Sequence, residues 1–155
     1  MPTDIRDVLA RRKERRAKRA AKGPNRQVRM KRVKAQLAVL WSIAVRRRDG
    51  KCVMCGKTDG LQAHHWLFHK SHSMALAFNV ANGATLCYVD HIIKIHQRAD
   101  GEHIMRLMEI MTQRVGSAVI EQLREIAKPP HETITLEMLE ELRDKFLSSG
   151  TGDNK

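Results

Sequence analysis

Residues 51–98 hold all 3 cysteines of the chain and six of its 8 histidines. So short a segment has too little apolar surface to stand alone, and needs a metal or additional helices over it. Cys52 and Cys55 form a C-x2-C knuckle closed by Gly56, and Cys87 and Asp90 repeat the two-residue spacing further along. A tetrahedral structural zinc site takes four ligands, commonly from two such knuckles. Three thiolates and the Asp90 carboxylate meet that count, although a carboxylate is a harder ligand than a thiolate. The competing reading makes the cysteines small buried apolar residues. Three thiols cannot pair completely, so a disulfide scaffold is excluded. The opening MPTDIRDVLARRKERR has no apolar core after its charges, so an export signal is not expected and a cytoplasmic setting is. No apolar run approaches the length of a membrane span, so no membrane partner is expected.

The formal charge of +12 is unevenly placed. Residues 1–48 carry 17 Lys and Arg against three acids, whereas residues 49–155 carry 12 bases and 14 acids. The excess therefore lies in an N-terminal arm, centred on Arg11, Arg12, Lys13, Arg15, Arg16, Lys18 and Arg19. Such an arm can neutralise phosphates and release counterions, which makes a nucleic acid the expected partner. Simple solvation is the bland alternative. Membrane binding is disfavoured because residues 11–22 have no apolar face to insert. Arg46, Arg47 and Arg48, beside the first knuckle, are candidates to hold the DNA backbone, or else complement a helix dipole.

Punctuation sets the rest. Thr3 can start a helix running to about Ala21, stopped by Gly23-Pro24. A second helix from about 26 to 48 places Val33, Leu37, Leu40, Trp41 and Ala44 on one face. Asp59-Gly60 reads as a hairpin turn with a short strand, 61–66, leaving it. Residues 67–83 read as loop and 86–98 as helix. Helices at about 102–113 and 117–127 follow, and Thr135 caps a last one to about Leu147. The expected division is a basic arm (1–25), a core with its leading helix (26–100), C-terminal helices (101–147) and a tail (148–155).

His64 and His65 fall in the strand, and His91 and His96 in the helix that follows. In an α-helix His91 and His96 would differ by about 500°, or 140° past a full turn, and could not both face one ion. His69, His72, His103 and His131 read as loop or surface residues.

The string RDGKCVMCG…LQAHHW…NGATLCYVDHIIKIH resembles the HNH endonucleases of the ββα-metal fold, and most of all the phage-type versions that include NinG/Rap-like recombination proteins. The resemblance covers about residues 40–98. Where that family has Leu-Cys-x-x-Cys-His, this chain has Leu86-Cys87-Tyr88-Val89-Asp90-His91, so the fourth cysteine is replaced. The resemblance implies an α+β, mostly helical fold: a small ββα-metal core with cysteine knuckles, flanked by the basic arm and the C-terminal helices. It implies a metal-dependent endonuclease that hydrolyses DNA phosphodiester bonds in recombination, repair or processing. His65 would be the general base, His64 and His91 ligands of the catalytic metal, with His96 a further candidate. Asn82 would be the central Asn that fixes the loop and the base. Cys52, Cys55, Cys87 and Asp90 would hold structural Zn2+. Mg2+ or Mn2+ suits the catalytic site, and imidazole ligands also admit Zn2+ or Ni2+.

Two other readings compete. A non-catalytic, zinc-dependent DNA-binding protein needs the cysteines and the arm but gives no reason for His64, His65, Asn82 and His91. An accessory factor of recombination or packaging would use residues 102–147 to bind a phage protein; otherwise these helices cover the core. A homodimer is a further option, without a clear seam.

Overall fold

The computed structural model describes residues 10–17, 25–129 and 133–149. Residues 10–17 are helical and exposed, whereas Lys18, Arg19 and His131 lie outside the described residues.

The long helix α1 spans Arg26–Asp49, with the Asn25 side chain accepting from the Gln27 amide at its start. Its buried residues Val33, Leu37, Trp41, Val45 and Asp49 recur every four positions, so one stripe faces the core. Gly50 ends it in the left-handed conformation (φ 68°) and donates to the Arg46 carbonyl at 2.9 Å, a geometry glycine adopts without a Cβ penalty.

Strands β1 (Gln62–His65) and β2 (Gly83–Leu86) pair antiparallel, with His64 opposite Ala84 and His65 opposite Gly83. The partner of β1 is thus not across Asp59-Gly60; the pair closes over residues 66–82. That connection, read as loop, holds the short helix α2 (Met74–Ala77) and a 3-10 turn (Val80–Asn82). Leu86 belongs to β2 rather than to the following helix, which is a π-helix over Val89–Gln97. Helices α3 (Gly101–Val115), α4 (Ser117–Ala127) and α5 (Leu136–Ser149) complete the described chain. Ser148 and Ser149, expected in a tail, are the end of α5.

The core has two parts. Val33, Leu37, Trp41 and Val45 of α1 pack with Ala77, Phe78, Leu136 and Leu139, so α5 lies on α1. On the other side Cys52, Trp66, Ala84, Leu86 and Cys87 pack with Leu107, Met111 and Ile120 of α3 and α4. The C-terminal helices therefore cover the small sheet and knuckle. Where α1 crosses β2 the approach is close: a Cβ on Gly83 would stand 2.4 Å from Val45 Cγ2 and 2.9 Å from Trp41.

Asp49 locks that crossing. Its buried carboxylate accepts from Arg48 at 2.9 and 3.0 Å, from Arg114 of α3 at 3.1 Å and from the Thr85 amide at 2.8 Å. Arg48 also donates to the carbonyls of Val80 at 2.8 Å and Gly83 at 2.7 Å. Four hydrogen bonds thus tie its guanidinium to the fold at a residue that is itself exposed. Arg47 is exposed, and Arg46 is half-buried with its Nε 3.2 Å from the Ser42 carbonyl.

Candidate metal and catalytic site

Two clusters of metal-ligating side chains are found among the described residues, and the first turn of the π-helix serves both. Cys52, Cys55, Cys87 and Asp90 bring one ligand atom each to within 4.8 Å of one another. The knuckle is shaped by its own backbone: the Cys52 amide donates to Lys57 O at 2.7 Å, the Gly56 amide to Cys52 O at 2.9 Å, and Gly56 has φ 77°. Val53 N donates to Thr85 O at 2.9 Å, which seats the knuckle on β2 beside Cys87.

Cys52 and Cys87 each approach Asp90 Oδ2 at 3.2 Å, and Cys55 Sγ lies 3.6 Å from Cys87 Sγ. Thiolates at about 2.3 Å from a tetrahedral ion stand roughly 3.8 Å apart, so the set could hold a metal ion. Burial raises the Asp90 pKa, but hydrogen bonds from Cys55, Cys52, Cys87 and Lys94 outweigh it and hold the carboxyl well below its ordinary range. The Lys57 backbone lowers the Cys55 pKa; desolvation and the facing Asp90, Cys52 and Cys87 outweigh it and push the thiol up to about 12.

The second cluster is His64, His91 and His96, again within 4.8 Å. His64 comes from β1, His91 and His96 from the π-helix. Their rings lie 4.8–5.4 Å apart, centroid to centroid. The expectation that His91 and His96 diverge is overturned by helix type. A π-helix closes i→i+5 hydrogen bonds, as from Arg98 N to Ile93 O at 3.0 Å, so residues five apart share a face. His96 Nε2 stands 3.1 Å from His91 Nε2, within the separation of about 2.8–3.4 Å for two imidazole ligands roughly 2.0–2.1 Å from one ion at angles between 90° and tetrahedral.

Gln62 orients this pair. Its Oε1 lies 2.6 Å from His91 Nδ1 and, as an amide oxygen, can only accept, so Nδ1 carries the proton and Nε2 keeps its lone pair. Burial first, then the charges of His91 and His96, push the His64 pKa down to about 3; burial and then His96 push His91 down to about 4. Both are neutral near pH 7, the form that binds a metal.

His65, next in β1, lines the same cleft of about 470 Å³ as His64, His91 and His96. Its ring stacks on Trp41 at 4.0 Å and 11°, and Trp41 is itself held by an Nε1 bond to Asn79 O at 2.9 Å. His65 Nε2 is 3.0 Å from the Ala77 carbonyl oxygen, so Nε2 carries the proton and Nδ1 is the basic nitrogen. Burial pushes its pKa down against the raising effect of that bond.

Asn82 acts at one remove. It is 0% exposed, its Oδ1 accepts from Phe68 N at 2.9 Å, and its Nδ2 donates to Phe68 O at 2.8 Å and Leu76 O at 3.1 Å. It fixes the loop through Leu76, whose neighbour Ala77 holds His65, and it is not among the residues lining the cleft.

His103 corrects the sequence reading outright. Read as a surface residue, its side chain is 10% exposed and its Nε2 lies 3.3 Å from Asp90 Oδ1. His69 and His72 are exposed, as expected, with His69 at the cleft beside Lys70. Gln62, Trp41 and His103 are the residues that sequence reasoning missed. Gln62 lies two residues before His64 and so shares its strand face, and His103 is in step with Leu107 and Met111 on α3.

Comparison of the chain with family models, with curated proteins and with solved structures returns no match.

Proposed function

We propose that the protein is a metal-dependent endonuclease of the HNH type, phage-encoded and acting in the cytoplasm of a bacterial host on DNA in recombination, repair or processing. The observation that carries this reading is the convergence of His64, His91 and His96 within one cleft, beside a fourth imidazole, His65, whose free nitrogen is Nδ1.

His64, His91 and His96 would hold the ion, Mg2+ or Mn2+ by the demands of a phosphate substrate, with Zn2+ or Ni2+ also suited to imidazole. When bound, it supplies Lewis-acid stabilisation of the phosphate oxygens and of the leaving 3′ oxygen. His65 accepts the proton of the attacking water at Nδ1, while the Ala77 carbonyl holds Nε2–H and the Trp41 stack fixes the ring plane. Gln62 keeps His91 in the tautomer with a free Nε2, and Asn82 keeps the loop that carries Ala77 in place. The Cys52, Cys55, Cys87 and Asp90 set would hold structural Zn2+, joining the knuckle to the π-helix. Arg11, Arg12, Lys13, Arg15, Arg16 and Arg47 would meet phosphates, with Lys70 at the cleft edge.

The non-catalytic reading, a zinc-dependent DNA binder, uses the arm and the tetrad but leaves the histidine cluster idle. Nicking of supercoiled plasmid with Mg2+ or Mn2+, with and without chelator, separates the two. Cleavage abolished by chelator supports the enzyme, and tight DNA binding with no cleavage under any of these metals contradicts it. Running junction, nicked, linear duplex and single-stranded DNA in parallel tests a branched-DNA preference, which equal rates on all four would end.

A further inference from the structure

The two oxygens of Asp90 face different surroundings. Oδ2 faces the thiols of Cys52 and Cys87, at 3.2 Å each. Oδ1 faces Lys94 Nζ at 3.1 Å and His103 Nε2 at 3.3 Å. Lys94 stands one turn further along the π-helix, and His103 is in the first turn of α3, held there by its amide bond to Asp100 Oδ1 at 3.1 Å. His103 Nε2 is buried and makes no aligned hydrogen bond, and the Asp90 Oδ1 atom 3.3 Å away is the acidic oxygen it faces. Buried ring nitrogens are rarely left without a partner, and an ionised carboxylate offers only acceptors, so it is as a donor that this nitrogen can be satisfied by Oδ1.

We infer that Lys94 and His103 are positioning residues that hold Oδ1 and so present Asp90 Oδ2 as the single-oxygen fourth ligand of a thiophilic divalent cation such as Zn2+, alongside Cys52, Cys55 and Cys87. The inference rests on the metal reading of that tetrad and adds to it two residues outside the ligand set. Three thiolates and a carboxylate carry four negative charges against two on the ion; the Lys94 ammonium offsets part of the excess beside the carboxylate. Hydrogen bonds to a ligating carboxylate fix its orientation, and removing such a partner commonly costs about 10–100-fold in metal affinity. Because His103 belongs to α3, metal binding at the knuckle also fastens the start of that helix over it.

Co2+ titration of the full-length, metal-stripped protein tests this. Thiolate-to-cobalt charge-transfer absorption reports the cysteine site and is silent for an imidazole site; Zn2+ competition then gives the affinity. The wild type is expected to show the band at one equivalent. Lys94→Met and His103→Phe should each weaken binding roughly 10–100-fold, with the band retained at saturation because the thiolates are untouched. His103→Gln, which keeps an N–H donor near the Nε2 position, should recover most of the affinity, as should Lys94→Arg. Unaltered affinity in Lys94→Met and His103→Phe overturns the positioning role while leaving the metal site standing. Equal losses in His103→Gln and His103→Phe show that packing, not the donor, matters, and also overturn it. A wild type without the band removes the metal reading and this inference together.

Discussion

His65 has its two ring nitrogens in unlike surroundings. A backbone carbonyl occupies Nε2, a tryptophan face fixes the plane, and burial keeps the ring neutral, so Nδ1 is available as a base. His65→Ala is expected to lower the cleavage rate by about 100-fold or more, with DNA binding retained, as measured by plasmid nicking alongside a filter-binding titration. Near-wild-type cleavage would remove His65 from the base role. The histidines were legible as candidates because His64, His65, His91 and His96 recur at the two ends of the cysteine segment. Their separate partners were not. Gln62 acts through a side-chain bond to His91, 29 positions away, and Ala77 acts through a carbonyl, which every residue type possesses. Arg48 has a structural role that its place in the sequence does not show: it reads as a phosphate contact, and four hydrogen bonds bind it to Asp49, Val80 and Gly83.

At the scale of elements, periodicity served where an apolar stripe exists and failed where it does not. Helix α1 was expected at 26–48 and spans Arg26–Asp49; α4 was expected and found at 117–127. Helix α1 buries residues four apart, and α4 buries Ile120 and Leu123, three apart. The partner of β1 was not legible, because pairing with β2 is a contact between distant segments and Asp59-Gly60 is a strong local turn signal. The π-helix is the more consequential departure. Residue composition gives a helix there, but does not distinguish i→i+4 from i→i+5 hydrogen bonding, and it is the i→i+5 pattern that puts His96 on the face of His91. The α1–β2 crossing is similarly a matter of approach. Gly83 has an ordinary φ of −102°, so alanine is conformationally allowed but meets Val45 and Trp41. Gly83→Ala is expected to destabilise the fold by about 1–3 kcal/mol, measured by urea unfolding; an unchanged midpoint would show that α1 can yield.

Across the molecule, the charge arithmetic separated a basic arm from a near-neutral remainder, and the described helical residues 10–17 are exposed. No helix among the described residues is long and apolar enough to cross a membrane. The histidine cluster gives the metal-free protein a definite acid response. Burial, helped by the neighbouring imidazoles, pushes His64 down to about 3 and His91 to about 4, below the ordinary imidazole value of 6.5. Between these limits the unfolded chain binds more protons than the folded one, so stability falls as pH drops from about 6.5 toward 4. Thermal unfolding of metal-stripped protein across this range should show a declining midpoint, and His64→Gln should flatten it. A midpoint that rises on acidification would contradict the buried, neutral cluster.

The convergence of three imidazoles on one divalent ion beside His65 is most directly tested by anomalous scattering from crystals soaked with Mn2+. The expected map has a peak bonded to His64, His91 and His96 together, opening onto the cleft that His65 lines. Well-ordered, neutral histidines in Mn2+-soaked crystals with no peak between them would contradict it.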